Sequence, residues 1–284
     1  MDIIELTAEN ADLYSELVDR NAAENLGRRG FFGIAAVENG HPLSAMIWHI
    51  INSNNAWDHT SSEILRMDVH DAASAKELLN TYSRRIENSG VEWSSFVFDK
   101  VLNTTSIGVL GDSGFTLTEG EGEDLFTSVG ALVKRLFVKI KGSDDSIYGL
   151  GTLKNRTFNE VINDCLSKTK RDLPEYLSTI GIEWFEPEVS CYSETECIIN
   201  GMLLVHKLPD GALRVELLSS WGSAGETELA LMIKYAIKTA SELYPPDTPV
   251  IVHRHDELSR RLSSYCLPNV KGRPSIFGKR LEKK

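Results

Sequence analysis

The stretch 212–227, Ala-Leu-Arg-Val-Glu-Leu-Leu-Ser-Ser-Trp-Gly-Ser-Ala-Gly-Glu-Thr, decides how the rest of the chain is read. Leu213, Val215, Leu217 and Leu218 form a short β-favouring run, and small residues follow it. Leu229, Met232, Tyr235, Ala236 and Ala240 then recur at helical spacing, so the reading predicts a helix over 226–243. Pro245 and Pro246 stop it, and Pro-Val-Ile-Val-His at 249–253 reads as a short buried strand. A strand entering a glycine-bearing turn and a helix start is an anion-binding arrangement. The first helical N–H groups lack intrahelical partners, and the helix dipole favours negative charge there.

A weaker copy lies in the first half. Residues 62–69 read as a strand, and His70-Asp-Ala-Ala-Ser-Ala is a turn with Asp71 as N-cap. Ala75, Leu78, Leu79, Tyr82 and Ile86 give helical spacing, and 91–98 is a second short apolar strand. The repeated order points to an internal duplication.

The remaining elements extend this pattern. A helix is expected over 8–26, and strands over 31–37 and 43–51. Asn39-Gly40 signals a hairpin there, its loop lengthened by His41-Pro42. Residues 104–111 read as a short helix or turn, 119–124 as an acidic loop, and 126–140 as either strand or helix. Lys141-Gly-Ser-Asp-Asp-Ser is the linker expected between domains 1–140 and 141–284. Helices are expected over 158–168, 173–180 and 256–264, with strands over 189–192, 198–208 and 274–278.

Composition bounds the class. The 284 residues suit two domains, and 42% hydrophobic with 25% charged residues is ordinary for a globular protein. No apolar run reaches the roughly 18–20 residues of a membrane span, and the N-terminal residues lack signal-peptide character, so a cytoplasmic location is expected. A net charge of −11 argues against nonspecific nucleic-acid binding and is compatible with a cationic substrate. Cys165, Cys191, Cys197 and Cys266 form no Cys-x-x-Cys pair and read as reduced structural residues. His253 and His255 share a strand face without a third ligand nearby, so no metal is expected.

In this element order the sequence resembles a tandem protein of the GNAT superfamily of N-acetyltransferases. The resemblance implies an α/β chain of two GNAT-like domains, each a mixed, mostly antiparallel sheet flanked by helices. The family's Gln/Arg-x-x-Gly-x-Gly/Ala signature falls on His70, Ala73 and Ala75 in the first half. It falls on Gly222, Gly225 and Thr227 in the second, which keeps a glycine in register. The first half is therefore expected to be degenerate. The second is expected to bind acetyl-CoA, as cosubstrate, through Leu218, Ser219, Gly222, Ser223, Ala224, Gly225 and Thr227. The same loop is also read as a plain helix cap.

The resemblance further implies that Glu216 acts as general base on the attacking ammonium, with Glu63 in the matching place of the first half. Glu216 is also read as a solvent-facing strand residue. Tyr265 would protonate the departing thiolate; otherwise it is a partly buried aromatic. In the first half the tyrosine's place falls on Leu110, which cannot donate a proton. The implied function is an acyl-CoA-dependent N-acetyltransferase acting on a primary amine of a small molecule, with neither nucleic acid nor membrane as partner and compatible with a homodimer. The alternative is a non-catalytic GNAT-fold protein that binds a ligand or partner. A third reading is an assembly module without a small ligand.

Overall fold

A computed structural model describes the chain apart from residues 29, 52–59, 137–139, 141, 143–144, 170–174, 179, 209, 224, 255–256 and 283–284. Contacts divide the chain into one unit of Met1–Glu121 with Arg273–Lys284 and a second of Gly122–Gly272.

In the first unit, strands β1 (Asp2–Glu5), β2 (Phe31–Glu38), β3 (His41–Ile51) and β4 (Ser61–Val69) pair antiparallel in that order. Helix α2 (Ala72–Glu87) connects β4 to the parallel strand β5 (Trp93–Asp99). It buries Ala75, Leu78, Leu79, Tyr82 and Ile86, the residues whose spacing predicts it. They pack with Trp48, Ile64 and Phe96 into the core of this unit, and helix α3 (Thr104–Asp112) adds Ile107, Val109 and Leu110.

Several local expectations are corrected. The helix expected over 8–26 is a 3-10 turn, Ala11–Tyr14, and a separate short helix α1, Arg20–Asn25. Asp19 caps the second, its Oδ1 accepting from the Ala22 N–H at 2.8 Å, whereas Asn10 Oδ1 accepts from the Thr7 N–H at 2.8 Å, ahead of the 3-10 turn. The β2–β3 loop is only Asn39-Gly40, with φ of 52° and 82°. A two-residue turn with both φ positive matches strand twist, so β3 begins at His41 rather than two residues later. Residues 119–124 belong to strand β6 (Thr116–Ser128), because pairing outweighs the low strand propensity of acidic residues. β6 leads directly into helix α4 (Val129–Leu136), so 126–140 begins as strand and turns helical.

The second unit repeats the order. Strand β7 (Ile147–Gly149) and helix α5 (Asn155–Lys168) precede β8 (Cys191–Thr195), β9 (Ile198–Lys207) and β10 (Leu213–Ser220). The β8–β9 turn at Glu196 and Cys197 also has positive φ, 53° and 62°. Helix α6 (Gly225–Leu243) then connects β10 to its parallel neighbour β11 (Pro249–Arg254), and helix α7 (Glu257–Cys266) follows. Leu229, Met232, Ala236 and Ala240 of α6 pack on Leu203, Val205, Leu213 and Val250 of the sheet. Within 173–180 the described helical part is a 3-10 turn, Glu175–Ser178.

The unit boundaries differ from the expected break at 140/141 because each half sends its last strand into the other unit. The second part of β6 pairs antiparallel with β11, from Pro249↔Ser128 to Arg254↔Glu123. The last strand, β12 (Gly272–Leu281), pairs antiparallel with β5, from Ser275↔Asp99 to Leu281↔Trp93. Arg280 anchors it, donating to the Ser113 carbonyl at 3.2 Å and to Ser83 Oγ at 3.1 Å. Of the expected linker 141–146, residues 141, 143 and 144 lie outside the described residues.

Gly278 is opposite Phe96 in the β5–β12 ladder, and a Cβ on it would lie 2.0 Å from Phe96 Cε1. Because that ring is fully buried, it has little room to yield. Gly278→Ala is therefore expected to cost about 1–3 kcal/mol in chemical denaturation. A surface control such as Lys271→Ala should cost less than about 0.5 kcal/mol. An unchanged Gly278→Ala midpoint would show that β12 does not pack here.

Candidate active site

The site is built where a parallel ladder ends. Among the described residues β10 pairs with β11 only from Leu213↔Val250 to Val215↔Val252, although β10 continues to Ser220. On its other edge β10 stays paired with β9 as far as Ser220↔Gly201. Between Val215 and Leu217 that second ladder shifts register, which makes Glu216 the extra residue of a β-bulge. A bulge bends its strand and re-aims one side chain. Here the bend follows the last parallel pair, so it turns β10 away from β11 and opens the sheet at Glu216.

Alternation fixes what lies on each face. Leu213, Val215 and Leu218 pack in the α6-side core, with Leu218 half-buried. Arg214 and Glu216 lie on the opposite face. Glu216 is 8% exposed, so its reading as a solvent-facing strand residue is set aside. Its Oε2 accepts from the Tyr176 hydroxyl at 3.0 Å, and its Oε1 lies 3.7 Å from Arg214 Nε. Tyr176 comes from the 3-10 turn Glu175–Ser178. Nearby, His206, the β9 partner of Arg214, stacks on Trp184 with ring centroids 4.0 Å apart. Its Nδ1 lies 2.6 Å from the Trp184 carbonyl oxygen. Glu216 is thus a buried carboxylate hydrogen-bonded by a phenol, with a guanidinium nitrogen 3.7 Å from its other oxygen. Sequence spacing hints at Arg214, two residues away on the same strand face, whereas nothing local marks Tyr176.

The loop into α6 lies on the other side of the strand. Gly222 has no room for a side chain: a Cβ would lie 2.9 Å from Asn200 Cβ and 2.9 Å from both oxygens of Glu228. Close packing therefore requires this glycine. Gly225 differs, since the nearest atom a Cβ would meet is Ser220 Oγ at 3.6 Å. Neither glycine has a positive φ. Ser223 is exposed, Thr227 lies in the first turn of α6, and Ala224 lies outside the described residues. Ser219 is fully buried, and among the described residues its hydroxyl has no hydrogen-bond partner. Sequence reasoning missed Glu228, 8% exposed in the first turn of α6, whose Oε2 accepts from Ser220 Oγ at 2.5 Å.

The other singled-out residues do not gather here. Tyr265 is 78% exposed near the end of α7. Cys191 is buried, which pushes its thiol far above the ordinary range and disfavours the thiolate a nucleophile needs. Cys197 is exposed in a turn. His255 and the side chain of His253 lie outside the described residues. Among the described residues no group of three or more His, Cys, Asp or Glu could hold a metal ion.

The first unit has the same geometry with different side chains. Its parallel ladder runs from Ser61↔Trp93 to Ile64↔Phe96, and the β3–β4 register shift makes Leu65 the bulged residue. The first-half counterpart of Glu216 is therefore Leu65, not Glu63, because matching bulges aligns Glu63 with Arg214. Ser106 of α3 donates to the Met67 carbonyl at 2.8 Å, so beyond this bulge β4 is met by the unit's own helix. Asp71 caps α2, accepting from the Ser74 N–H at 2.7 Å. Between Ser62 and Ser94 the Tyr82 hydroxyl makes hydrogen bonds of 2.8 and 2.7 Å. Burial raises its pKa to about 12, so Tyr82 is a structural hydrogen-bonding group at neutral pH. Leu110, fully buried, belongs to the core.

No protein-family model and no curated protein matches this sequence. Solved structures do match its fold. A tandem GNAT protein from the clavulanic acid biosynthesis pathway, solved without AcCoA, aligns at TM-score 0.60 and 7% identity over 100% of this chain and 99% of its own. A GCN5-related N-acetyltransferase from Anabaena variabilis aligns at 0.53 and 11% over 99% of this chain and 73% of its own. Another, from Kribbella flavida, aligns at 0.50 and 14% over 97% and 96%. The chain has the tandem GNAT fold, α/β with two GNAT-like halves.

The two loop glycines should respond differently to a methyl group. Gly222→Ala is expected to lose about 1–3 kcal/mol by pushing on Asn200 and Glu228. Gly225→Ala should stay within about 1 kcal/mol of the parent. Urea unfolding of both variants checks this, and equal losses would contradict the packing described for Gly222.

Proposed function

We propose that the second half is an acyl-CoA-dependent N-acetyltransferase acting on a primary amine of a small molecule. The observation that carries the reading is Glu216, a buried carboxylate at the bulge where the β10–β11 ladder ends. A base placed at an opening in the sheet suits a reaction whose nucleophile must first lose a proton. The tandem GNAT fold supports acetyl-CoA as cosubstrate. The space at Gly225 fits a phosphate group, because no neighbour crowds its Cα. Leu218, Ser219 and the loop from Gly222 through Ser223 and Ala224 to Gly225 and Thr227 would hold the donor. Gly222 serves there by shaping the loop.

Acetyl-CoA supplies the activated acyl group as a thioester. Glu216 takes the proton of the incoming ammonium, directly or through water, leaving the neutral amine that attacks. Tyr176 is a positioning residue: its hydroxyl donates to Oε2 and so orients the carboxylate. Arg214 Nε, 3.7 Å from Oε1, gives that carboxylate a cationic neighbour. Tyr265, exposed near the end of α7, is the group proposed to return a proton to the departing thiolate, on the family resemblance alone. The first half lacks the base, with Leu65 at its bulge and Leu110 in its core. Its role is structural, giving β6 to the second unit and receiving β12. A cytoplasmic setting is consistent with the described helices, none of which is long and apolar enough to cross a membrane.

The test is a panel of primary amines with acetyl-CoA, assayed for thiol release. The parent protein is expected to turn over at least one amine. Glu216→Gln should lower kcat/KM by about 10²–10⁴-fold while leaving acetyl-CoA affinity within about threefold. Tyr265→Phe should lower kcat with little effect on acetyl-CoA binding. If the parent shows neither calorimetric binding of acetyl-CoA nor turnover, the transferase reading is wrong and a non-catalytic GNAT-fold protein takes its place.

A further inference from the structure

Glu228 is buried in the first turn of α6, where it accepts a hydrogen bond from Ser220 Oγ. Among the described residues it forms no ion pair; Arg261 instead meets Glu226 at 2.5 Å. A buried carboxylate costs free energy unless something compensates it. Here the compensation is the Ser220 hydroxyl and the positive end of the α6 dipole. Both Glu228 oxygens lie over the bare Cα face of Gly222, close enough to exclude a Cβ. An anion over a glycine, bonded to a serine hydroxyl at a helix start, is the arrangement a bound phosphate would take. The protein has filled it with its own side chain.

We propose that Glu228 is a specificity-determining residue of the donor loop, a built-in carboxylate that competes with the diphosphate of an acyl-CoA for the start of α6. The inference rests on reading that loop as the donor site. Two anions cannot share the position without severe repulsion, so Glu228 swings out when a diphosphate donor binds. The open space at Gly225 then receives the incoming group. The carboxylate thus weakens every diphosphate-bearing donor while leaving donors without a diphosphate unaffected. Gly222 keeps its structural role in both states, since Asn200 Cβ alone, 2.9 Å from where a Cβ would lie, leaves no room for a side chain.

The test compares the full chain with Glu228→Gln, which keeps the size and the Ser220 hydrogen bond but removes the charge. Calorimetry with acetyl-CoA and with acetyl-pantetheine, which lacks the diphosphate, reads the effect. Glu228→Gln should bind acetyl-CoA at least about tenfold more tightly, with acetyl-pantetheine binding, weak or strong, the same in both proteins. Unchanged or weaker acetyl-CoA binding in Glu228→Gln, with measurable binding in the parent, overturns the competition and leaves the donor site standing. An equal change for both ligands also overturns it, because that pattern reports a relaxed loop. If neither protein binds acetyl-CoA, the donor site and the competition both fall. Should Glu228→Gln fail to fold, Glu228→Met carries the same expectations, since it keeps the volume without the charge.

Discussion

In each unit one parallel strand pair stops early, and the residue after its last rung is the extra residue of a bulge. That coincidence is what the rest of the structure depends on. A parallel pair joined through a helix would otherwise extend along the whole strand, because each further rung satisfies two backbone groups. The register shifts at Leu65 and Glu216 bend β4 and β10 away from their parallel neighbours. The helices α2 and α6 start just beyond these bends, so each opening has a strand on one side and a helix N-terminus close by.

The two halves then use the opening differently. In the first, Ser106 holds the Met67 carbonyl, Tyr82 joins Ser62 to Ser94, and the bulge carries a leucine. Each of these favours a closed, packed arrangement. In the second, the bulge carries a carboxylate oriented by Tyr176, and the helix start holds a second carboxylate, Glu228. Burying each of these carboxylates costs stability that its partners and packing must offset, and such costs are commonest where a protein binds or reacts. The two halves thus carry different side chains on one shared backbone plan.

Much of this plan is legible in the sequence. The apolar spacing of α2 and α6 reflects burial of one helix face, so Leu78, Tyr82, Leu229 and Met232 mark both helices by their spacing alone. The same logic places Glu216 on its strand. The bulge is not legible, because one extra residue leaves no mark in composition. For the same reason Glu63 matches Glu216 by strand position, whereas the register shift puts Leu65 there. The exchange of β6 and β12 is hidden as well, since strand pairing is set by partners far away in the chain. The acidic run 119–124 even disguises β6 as a loop. Tyr176 meets Glu216 across 40 residues of chain, a separation that no local pattern encodes. Glu228 is closer to Ser220, but only the turn between them brings the two together.

The central claim is that only the second opening receives the donor. Hydrogen–deuterium exchange with and without acetyl-CoA tests it directly, because bound ligand slows exchange of the amides it covers. The account predicts added protection in peptides spanning 213–231, at β10 and the start of α6, and none in the matching peptides spanning 61–79. Protection at 61–79, with 213–231 unchanged, would contradict it.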